Sequence, residues 1–457
     1  MIHYMPGSFD RKLISGSLLC LLLMAITPGV FAQNPIIRNQ YSADPAARVF
    51  GNRIYIYPSH DILASEGHGR IGWFCMEDYH VFSSVNLTEW TDHGSIVSQT
   101  AVPWAKPDGY SMWAPDCIER NGKYYFYFPT MPADTITYGR GFRVGVAIAD
   151  KPTGPFVPQA QPIKDVHGVD PNVFIDRDGQ AYLYWSAGNI YGAKLQPDML
   201  QLEGAVQTLG ELPSKGLKEG PFLFERKGKY YLTYPHVEKK IERLEYAMSD
   251  HPLGPFKFTG VIMDESPTGC WTNHQSIVEF NNQWYLFYHH NDYSPRFDKA
   301  RSVRADSLFF SPDGTIQKVI PSLRGVGINK AADTLQVDRY SQLGDGTTIQ
   351  FIDTLNRFTG WQADFMHKGA WLQYNTVDFG EKRYKRIVIN VMAAQKGRIE
   401  IHSGSATGPL LAAVQVPAGK NWKVLNSPII QQAKGLQNLV LVSGTDAPLA
   451  VDWIRFE

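Results

Sequence analysis

Five copies of one short pattern constrain this chain more than any other feature. Each is a turn rich in Gly, Asn or Asp followed by an aromatic segment: GNRIYIYP (51–58), NGKYYFYFP (121–129), DGQAYLYWS (178–186), KGKYYLTYP (227–235) and NNQWYLFYH (281–289). β-formers directly after an Asx/Gly turn read as hairpins. A second match, GVAIADKPTGPF (145–156) with EYAMSDHPLGPF (245–256), reads as one outer-strand pair present in two units. Five all-β units of about 55 residues fit radial repetition of four-stranded blades. The expected fold is therefore all-β, with a five-bladed β-propeller over residues 33–327.

Composition agrees with a turn-rich β protein: aromatics make up 13% of the 457 residues, with 40 Gly and 29 Pro. Lys+Arg and Asp+Glu both number 44, which excludes a generally basic nucleic-acid surface. Residues 1–32 read as a signal peptide. Arg11 and Lys12 precede the mainly apolar run from Leu13 to Ile26, and Val30-Phe31-Ala32 resembles a cleavage site. Leu19 before Cys20 argues against a lipoprotein signal. No later run is long enough to span a bilayer, so a secreted or periplasmic protein without membrane insertion after cleavage is expected. Cys75, Cys117 and Cys270 then remain, an odd number without metal-site spacing. They exclude a disulfide scaffold and read as buried free thiols.

The segment before each turn opens on a polar residue: Asp44 in ADPAARVF, Asp116 in APDCIER, Asp170 in VDPNVFID, Glu219 in KEGPFLFE and His274 in NHQSIVEF. The innermost strand of each propeller blade lines the central channel, so these starts are expected to meet in one axial funnel. Paired carboxylates in a neutral, aromatic-rich chain point to glycoside hydrolysis. An inverting enzyme needs a protonated acid and an ionised base, about 6.5–9.5 Å apart with water between base and sugar. A third carboxylate raises the acid's pKa by like-charge repulsion.

These motifs, with WAPD (113–116) and RSVRADSLFFSPDGTI, resemble glycoside hydrolase family 43 over residues 42–320. The resemblance implies Asp44 as general base, Glu219 as general acid and Asp170 as the residue tuning and orienting Glu219. His274 matches the family's channel histidine, which supports a bound cation, commonly Ca²⁺, through water. No cofactor is implied for the chemistry itself. Arg301 matches an arginine near the substrate, and its neighbour Arg304 reads as a surface residue. Trp113 and Trp73 are candidates to stack on a sugar, and Asp116 is expected to line the funnel. The implied activity is exo-acting, inverting removal of terminal α-L-arabinofuranosyl residues from plant polysaccharide or oligosaccharide. β-Xylosyl, β-galactofuranosyl and β-galactosyl residues remain open. A non-catalytic lectin on the same propeller would lack one of Asp44, Asp170 and Glu219, and all three are present. A propeller scaffold for protein partners would instead have an apolar or basic channel.

Residues 328–457 have a different pattern. GAWLQYNTVDFG (369–380), RIVINVMAA (386–394), GRIEIHSG (397–404), LLAAVQVP (410–417), NLVLVSG (438–444) and VDWIRFE (451–457) read as short strands of a β-sandwich. They resemble a carbohydrate-binding module of family 6, though the segment QVDRYSQL departs from the family's acidic opening strand. Trp361 and Trp371 are among the aromatic candidates for sugar contact or core. A monomer is expected.

Overall fold

The computed structural model describes residues 34–87, 90–210, 212–322, 325–326, 329–337, 340–353 and 361–457. The expected signal peptide and the expected boundary at residues 327 and 328 lie outside the described residues. No helix among the described residues is long and apolar enough to cross a membrane.

Every repeated pattern forms a turn and the second strand of an antiparallel sheet. The turns carry the positive φ that tight hairpins require: Asn121 and Gly122 (54° and 76°), Lys227 and Gly228 (52° and 80°), and Asn281 and Asn282 (50° and 62°). Two successive left-handed residues match the right-handed twist of the flanking strands, and Gly and Asn adopt that conformation at low cost.

Five such sheets follow one another along the chain. The first comprises Ala43–Phe50, Arg53–Ser59, Asp78–Ser84 and Thr91–Ser98. The second comprises Asp116–Arg120, Lys123–Thr130, Arg143–Ala149 and Val157–Pro158. Val169–Ile175, Ala181–Ser186, Ile190–Leu195 and Leu202–Thr208 form the third. Phe222–Arg226, Lys229–Val237, Glu242–Ser249 and Lys257–Met263 form the fourth. The fifth has three strands, Ser276–Phe280, Gln283–His290 and Ser302–Leu308. In each sheet the strands pair in sequence order. The two matching dodecapeptides form the third strands of blades 2 and 4 and the turns that lead out of them.

The strands are apolar on both faces because each blade packs against two neighbours. In the second strand of blade 2, Phe126 and Phe128 join Tyr57 and Tyr79 of blade 1, while the alternate Tyr127 joins Val173 and Leu183 of blade 3. Blades 3 and 4 meet through Tyr184, Leu232 and Phe256, and blades 4 and 5 through Tyr231, Ile277 and Leu286. Blades 5 and 1 meet through Phe287, Ala305, Ala47 and Ile56. Residues 34–42 close the ring along the last strand of blade 5. Ile36 N–H donates to the Val303 carbonyl (2.9 Å), Ser42 N–H donates to the Arg301 carbonyl (2.9 Å), and Ala305 N–H donates to Asn34 Oδ1 (2.8 Å). Cys75, Cys117 and Cys270 are buried free thiols.

The C-terminal sandwich has two six-stranded sheets. Ile399, Ile401, Leu439 and Leu441 of one sheet meet Ile387, Ile389, Val451 and Ile454 of the other. The six anticipated strands are present. The strands Thr347–Phe351, Trp361–Phe365 and Lys423–Pro428 add to them. KVLNSP carries too few β-formers to announce itself, yet it pairs with Arg386–Val391 along its length. Trp371 lies over Gly344, leaving no room there for a Cβ.

Asp116 corrects an expectation. It does not line the funnel but clamps three blades together. Its carboxylate accepts from Arg48 Nε (2.9 Å) and Arg48 Nη2, Asn172 Nδ2 (3.0 Å), and the N–H groups of Val173 (2.7 Å) and Cys117 (2.8 Å). Arg304 is likewise buried rather than on the surface, bonded to His290 Nδ1 (2.7 Å) and the Ser322 carbonyl (3.1 Å). Removing one partner of a buried, hydrogen-bonded ion pair leaves the other without compensation. Asp116→Ala should therefore cost about 3–5 kcal/mol, read as a lower denaturation midpoint in chemical unfolding.

Candidate active site

The repeat sets the register of the funnel. At equivalent places in the five blades, Ala46 pairs with Tyr57, Asp116 with Tyr127, Asn172 with Tyr184, Phe222 with Thr233 and Ser276 with Phe287. Two residues earlier, on or just before each inner strand, stand Asp44, Ala114, Asp170, Gly220 and His274. Only Asp44, Asp170 and His274 thus share the anticipated register. Asp116 sits two residues too deep, which is why it became a clamp, and Ala114 takes the funnel position in its blade.

Asp44 and Asp170 are presented by the same device. Between the pairs Ala43–Ser59 and Ala46–Tyr57, three inner-strand steps oppose two on the partner. The pairs Val169–Ser186 and Asn172–Tyr184 repeat this count. This is a β-bulge, and Asp-Pro occupies it in both blades. Proline suits a bulge because it has no N–H to give to the ladder. The aspartates take φ of 49° and 56°, a left-handed conformation that Asp tolerates better than most residues. In blade 4 the corresponding left-handed residue is Gly220 (φ 53°), and the carboxylate comes from the residue before it, Glu219. A Cβ at 220 would lie 3.0 Å from His274 Cε1 and from Pro235 Cγ and Cδ.

Asp44, Asp170, Glu219, His274 and Arg301 line one cavity of about 180 Å³, walled by Trp73, Phe74, Trp113 and Trp271. Its charged centre is Arg301. The guanidinium donates from Nε and Nη2 to the two oxygens of buried Asp61 (both 2.8 Å) and from Nη1 to Asp44 Oδ1 (2.9 Å). Ser59 Oγ donates to Asp44 Oδ2, and the Asp44 N–H donates to His289 Nδ1 (3.0 Å). Burial by itself would raise the Asp44 pKa. Arg301 and, behind it, His289, His274 and Ser59 more than offset that and hold the carboxyl at about 2.

The other carboxyls of the cavity favour protons. Burial, then the Glu219 charge, pushes Asp170 up to about 7, against the Gly220 N–H that donates to its Oδ2 (3.1 Å). Burial also raises Glu219. A further carboxyl faces it. Glu242 is buried, accepts from Asn273 N–H at Oε2 (2.7 Å), and is pushed far up by burial and then by Glu219. No protein group among the described residues hydrogen-bonds Glu242 Oε1 within 3.5 Å, while a looser carboxyl–carboxyl interaction with Glu219 bears on both pKa values. Low dielectric and mutual repulsion keep such a pair from ionising fully, so it holds a proton between its members. The cavity therefore keeps a carboxylate at Asp44 and carboxylic acid at the Glu219–Glu242 pair.

The sequence model described as Glycosyl hydrolases family 43 matches residues 32–316. The chain belongs to that family. The model of carbohydrate binding module (family 6) matches residues 341–457. Within family 43, a xylosidase/arabinosidase from Humicola insolens is 36% identical over 331 residues, covering 62% of this chain and 98% of that protein. Among solved structures, a β-xylosidase/α-arabinofuranosidase from a compost metagenome was obtained with xylotriose in a calcium-free form. It is 33% identical, with a TM-score of 0.56 and coverage of 63% of this chain and 97% of that one. An arabinoxylan arabinofuranohydrolase from Bacillus subtilis, solved with cellotetraose, covers 93% of this chain and 97% of its own. It is 25% identical with a TM-score of 0.54.

In this family 43 chain, Trp73 and Trp113 both reach the cavity. Trp113 packs on Phe142 (4.5 Å between centroids), and Trp73 is 39% exposed. Sequence reasoning missed Asp61, Glu242, Phe74 and Trp271. Asp61 and Glu242 lie outside the inner strands on which the repeat argument focused. A signal existed for Asp61: it lies two residues past the Ser59 that pairs with Ala43. Losing one hydrogen bond to a carboxylate favours its protonated form. In Ser59→Ala the Asp44 pKa should rise by roughly one pH unit, measured by carbon-13 NMR titration of the aspartate carboxyls.

Proposed function

We propose that this family 43 glycosidase is an exo-acting, inverting α-L-arabinofuranosidase acting on arabinoxylan or its oligosaccharides. The supporting observation is that one small cavity is lined both by Asp44, which Arg301 holds ionised at about 2, and by Glu219, whose pKa burial raises. In this mechanism Asp44 takes a proton from water as the water oxygen bonds to the anomeric carbon. The glycosidic C–O bond breaks, and Glu219 gives its proton to the leaving oxygen. The configuration inverts, and both carboxyl groups reset by exchange with solvent. Asp170 positions the acid, since it accepts from the N–H of Gly220, the next residue after Glu219. Arg301 keeps Asp44 charged and oriented, and Trp73 and Trp113 offer apolar faces to the sugar.

The arabinofuranosyl reading draws on the full-length similarity to arabinoxylan arabinofuranohydrolases, which covers 93% of this chain. β-Xylosidase is the second reading, favoured by the higher identity of the xylosidase/arabinosidases over the propeller. The chain is further proposed to be exported through residues 1–32 and to divide into a propeller of residues 33–327 and a sugar-directed sandwich of residues 328–457. A channel Ca²⁺ fits the donors present if it is held through water. His274 has a ring nitrogen 3.7 Å from Asp44 Oδ1, and the neighbouring Gln275 Oε1 is a buried oxygen without a hydrogen-bond partner among the described residues. Hydrated calcium wants oxygen ligands of this kind, and it would add positive charge to the site.

Nitrophenyl glycosides of α-L-arabinofuranose, β-D-xylose and β-D-galactofuranose distinguish the sugar readings, with the arabinofuranoside expected to have the highest kcat/KM. Proton NMR of the first-formed anomer should show inversion; retention would refute the mechanism. Glu219→Gln should lose far more activity on natural linkages than on aryl glycosides with good leaving groups, because the latter need little protonation. Equal losses would remove Glu219 from the acid's role.

The Glu219–Glu242 pair yields a separate expectation. kcat/KM should be bell-shaped, limited at low pH by Asp44 and at high pH by the acid. Glutamine at 242 still donates a hydrogen bond to Glu219 but cannot share a proton with it, which favours the Glu219 carboxylate. In Glu242→Gln the alkaline limb should move to lower pH while the acid limb stays in place, as read from kcat/KM across pH.

A further inference from the structure

A second cluster of ligating side chains stands on blade 1, behind the strand that serves the sugar cavity. His60 follows the strand Arg53–Ser59, and Asp78 and His80 are the first and third residues of Asp78–Ser84. Ser59 pairs with Tyr79 in an antiparallel ladder, which brings His60 opposite Asp78. The period of two places Asp78 and His80 on one face. The same period separates the roles of consecutive residues: Ser59 and Asp61 reach Asp44 and Arg301, and His60 between them reaches this cluster.

His60 Nδ1 is 2.7 Å from Asp78 Oδ1, and His80 Nε2 is 3.6 Å from Asp78 Oδ2. One ligating atom from each of the three side chains lies within 4.8 Å of the other two. His80 also has a partner on its far side, with Nδ1 3.0 Å from Asp92 Oδ1. A carboxylate only accepts, so Nδ1 donates to Asp92, and Nε2, which points at Asp78, is the nitrogen that would give up its proton to bind a cation. Asp92 is itself fixed by Asn39 Nδ2 and by the Gly94 N–H, both at 2.8 Å. A carboxylate behind an imidazole, with the other nitrogen presented to a ligand group, is the support that metal-bound histidines use.

We propose that His60, Asp78 and His80 form a binding site for a divalent transition cation of the zinc class. Two imidazoles and one carboxylate suit Zn²⁺ and its neighbours, whereas Ca²⁺ and Mg²⁺ want oxygen alone. The carboxylates of Asp78 and Asp92 balance the charge of a divalent ion. Tetrahedral zinc bonds of about 2.0–2.2 Å place ligand atoms ~3.4 Å apart, which small side-chain rotations reach from the present spacing. The three side chains are each about one-fifth exposed or a little less, and a cavity of about 470 Å³, bordered by Asn39, Ile62 and Tyr293, opens beside His60. Three protein ligands leave a fourth position for water. The site lies apart from the channel position proposed for Ca²⁺, so it stands or falls independently of the glycosidase mechanism.

The test is calorimetric titration of EDTA-dialysed, untagged full-length protein with ZnCl2, repeated in excess CaCl2 and followed with CoCl2 by visible absorption. One Zn²⁺ per chain is expected, with micromolar or tighter affinity that calcium does not diminish. The Co²⁺ spectrum should show the intense bands of a tetrahedral, nitrogen-containing site. His80→Gln should abolish those bands. Asp92→Asn, which touches no ion directly, should weaken Zn²⁺ about 10- to 100-fold while leaving turnover of an aryl glycoside by the metal-free protein unchanged. Affinity no tighter than millimolar, displacement by calcium, or unaltered binding in both folded variants would overturn the proposal. Circular dichroism establishes folding, and Asp92→Asn supplies the answer if His80→Gln does not fold.

Discussion

The active end of this molecule depends on one buried guanidinium. Arg301 lies at the edge of the last strand of blade 5, and its guanidinium bonds both oxygens of Asp61 and one oxygen of Asp44 in blade 1, with Thr272 Oγ1 at 3.4 Å. It therefore links the two blades that must meet for the ring to close. An arginine suits this place because its planar fork serves two carboxylates at once and stays charged when buried. The cost of burying three charges is offset only because each is bonded, and the same geometry keeps Asp44 ionised where burial alone would protonate it.

The other carboxyls of the cavity follow the opposite rule. Among the described residues no arginine is hydrogen-bonded to Asp170, Glu219 or Glu242, and burial dominates the pKa of each. Two carboxyl environments a short way apart are thereby driven in opposite directions, which is how acid and base roles are separated in one site. Aromatic walls contribute by excluding water. Phe74 lies under the Arg301 guanidinium (4.8 Å to the ring centroid) and so joins the apolar wall to the charged centre.

Support for this arrangement comes from packing between blades rather than within them. Tyr127 and Phe126, adjacent in sequence, face different neighbours, so no blade can bury its own surface alone. Asp116 adds a polar clamp at the same level, joining Arg48, Cys117 and Asn172 of three successive blades. A bulge that aims Asp44 or Asp170 into the cavity is tolerable because the surrounding strands hold the backbone there.

Much of this was legible in the amino-acid order because repetition and local chemistry are properties of short segments. The turn of Asn121-Gly122 and the alternation of KYYFYFP announce a hairpin wherever they occur, and five copies announce the propeller. The order Asp44, Asp170, Glu219, His274 placed four groups of one cavity on inner strands. What the order could not supply was register. Asp116 looks like Asp44 in sequence but lies two residues deeper, because in APD the proline precedes the aspartate and in ADP it follows. Glu242, Asp61 and the buried Arg304 were equally out of reach, since their importance comes from groups as distant as Asn273, Arg301 and Ser322. The amino-acid order is enough to specify the repeating β-units and the acidic residues available. Which carboxyl groups meet a guanidinium and which meet each other is set in the folded chain, because it depends on closing the ring and on the low dielectric that closure creates.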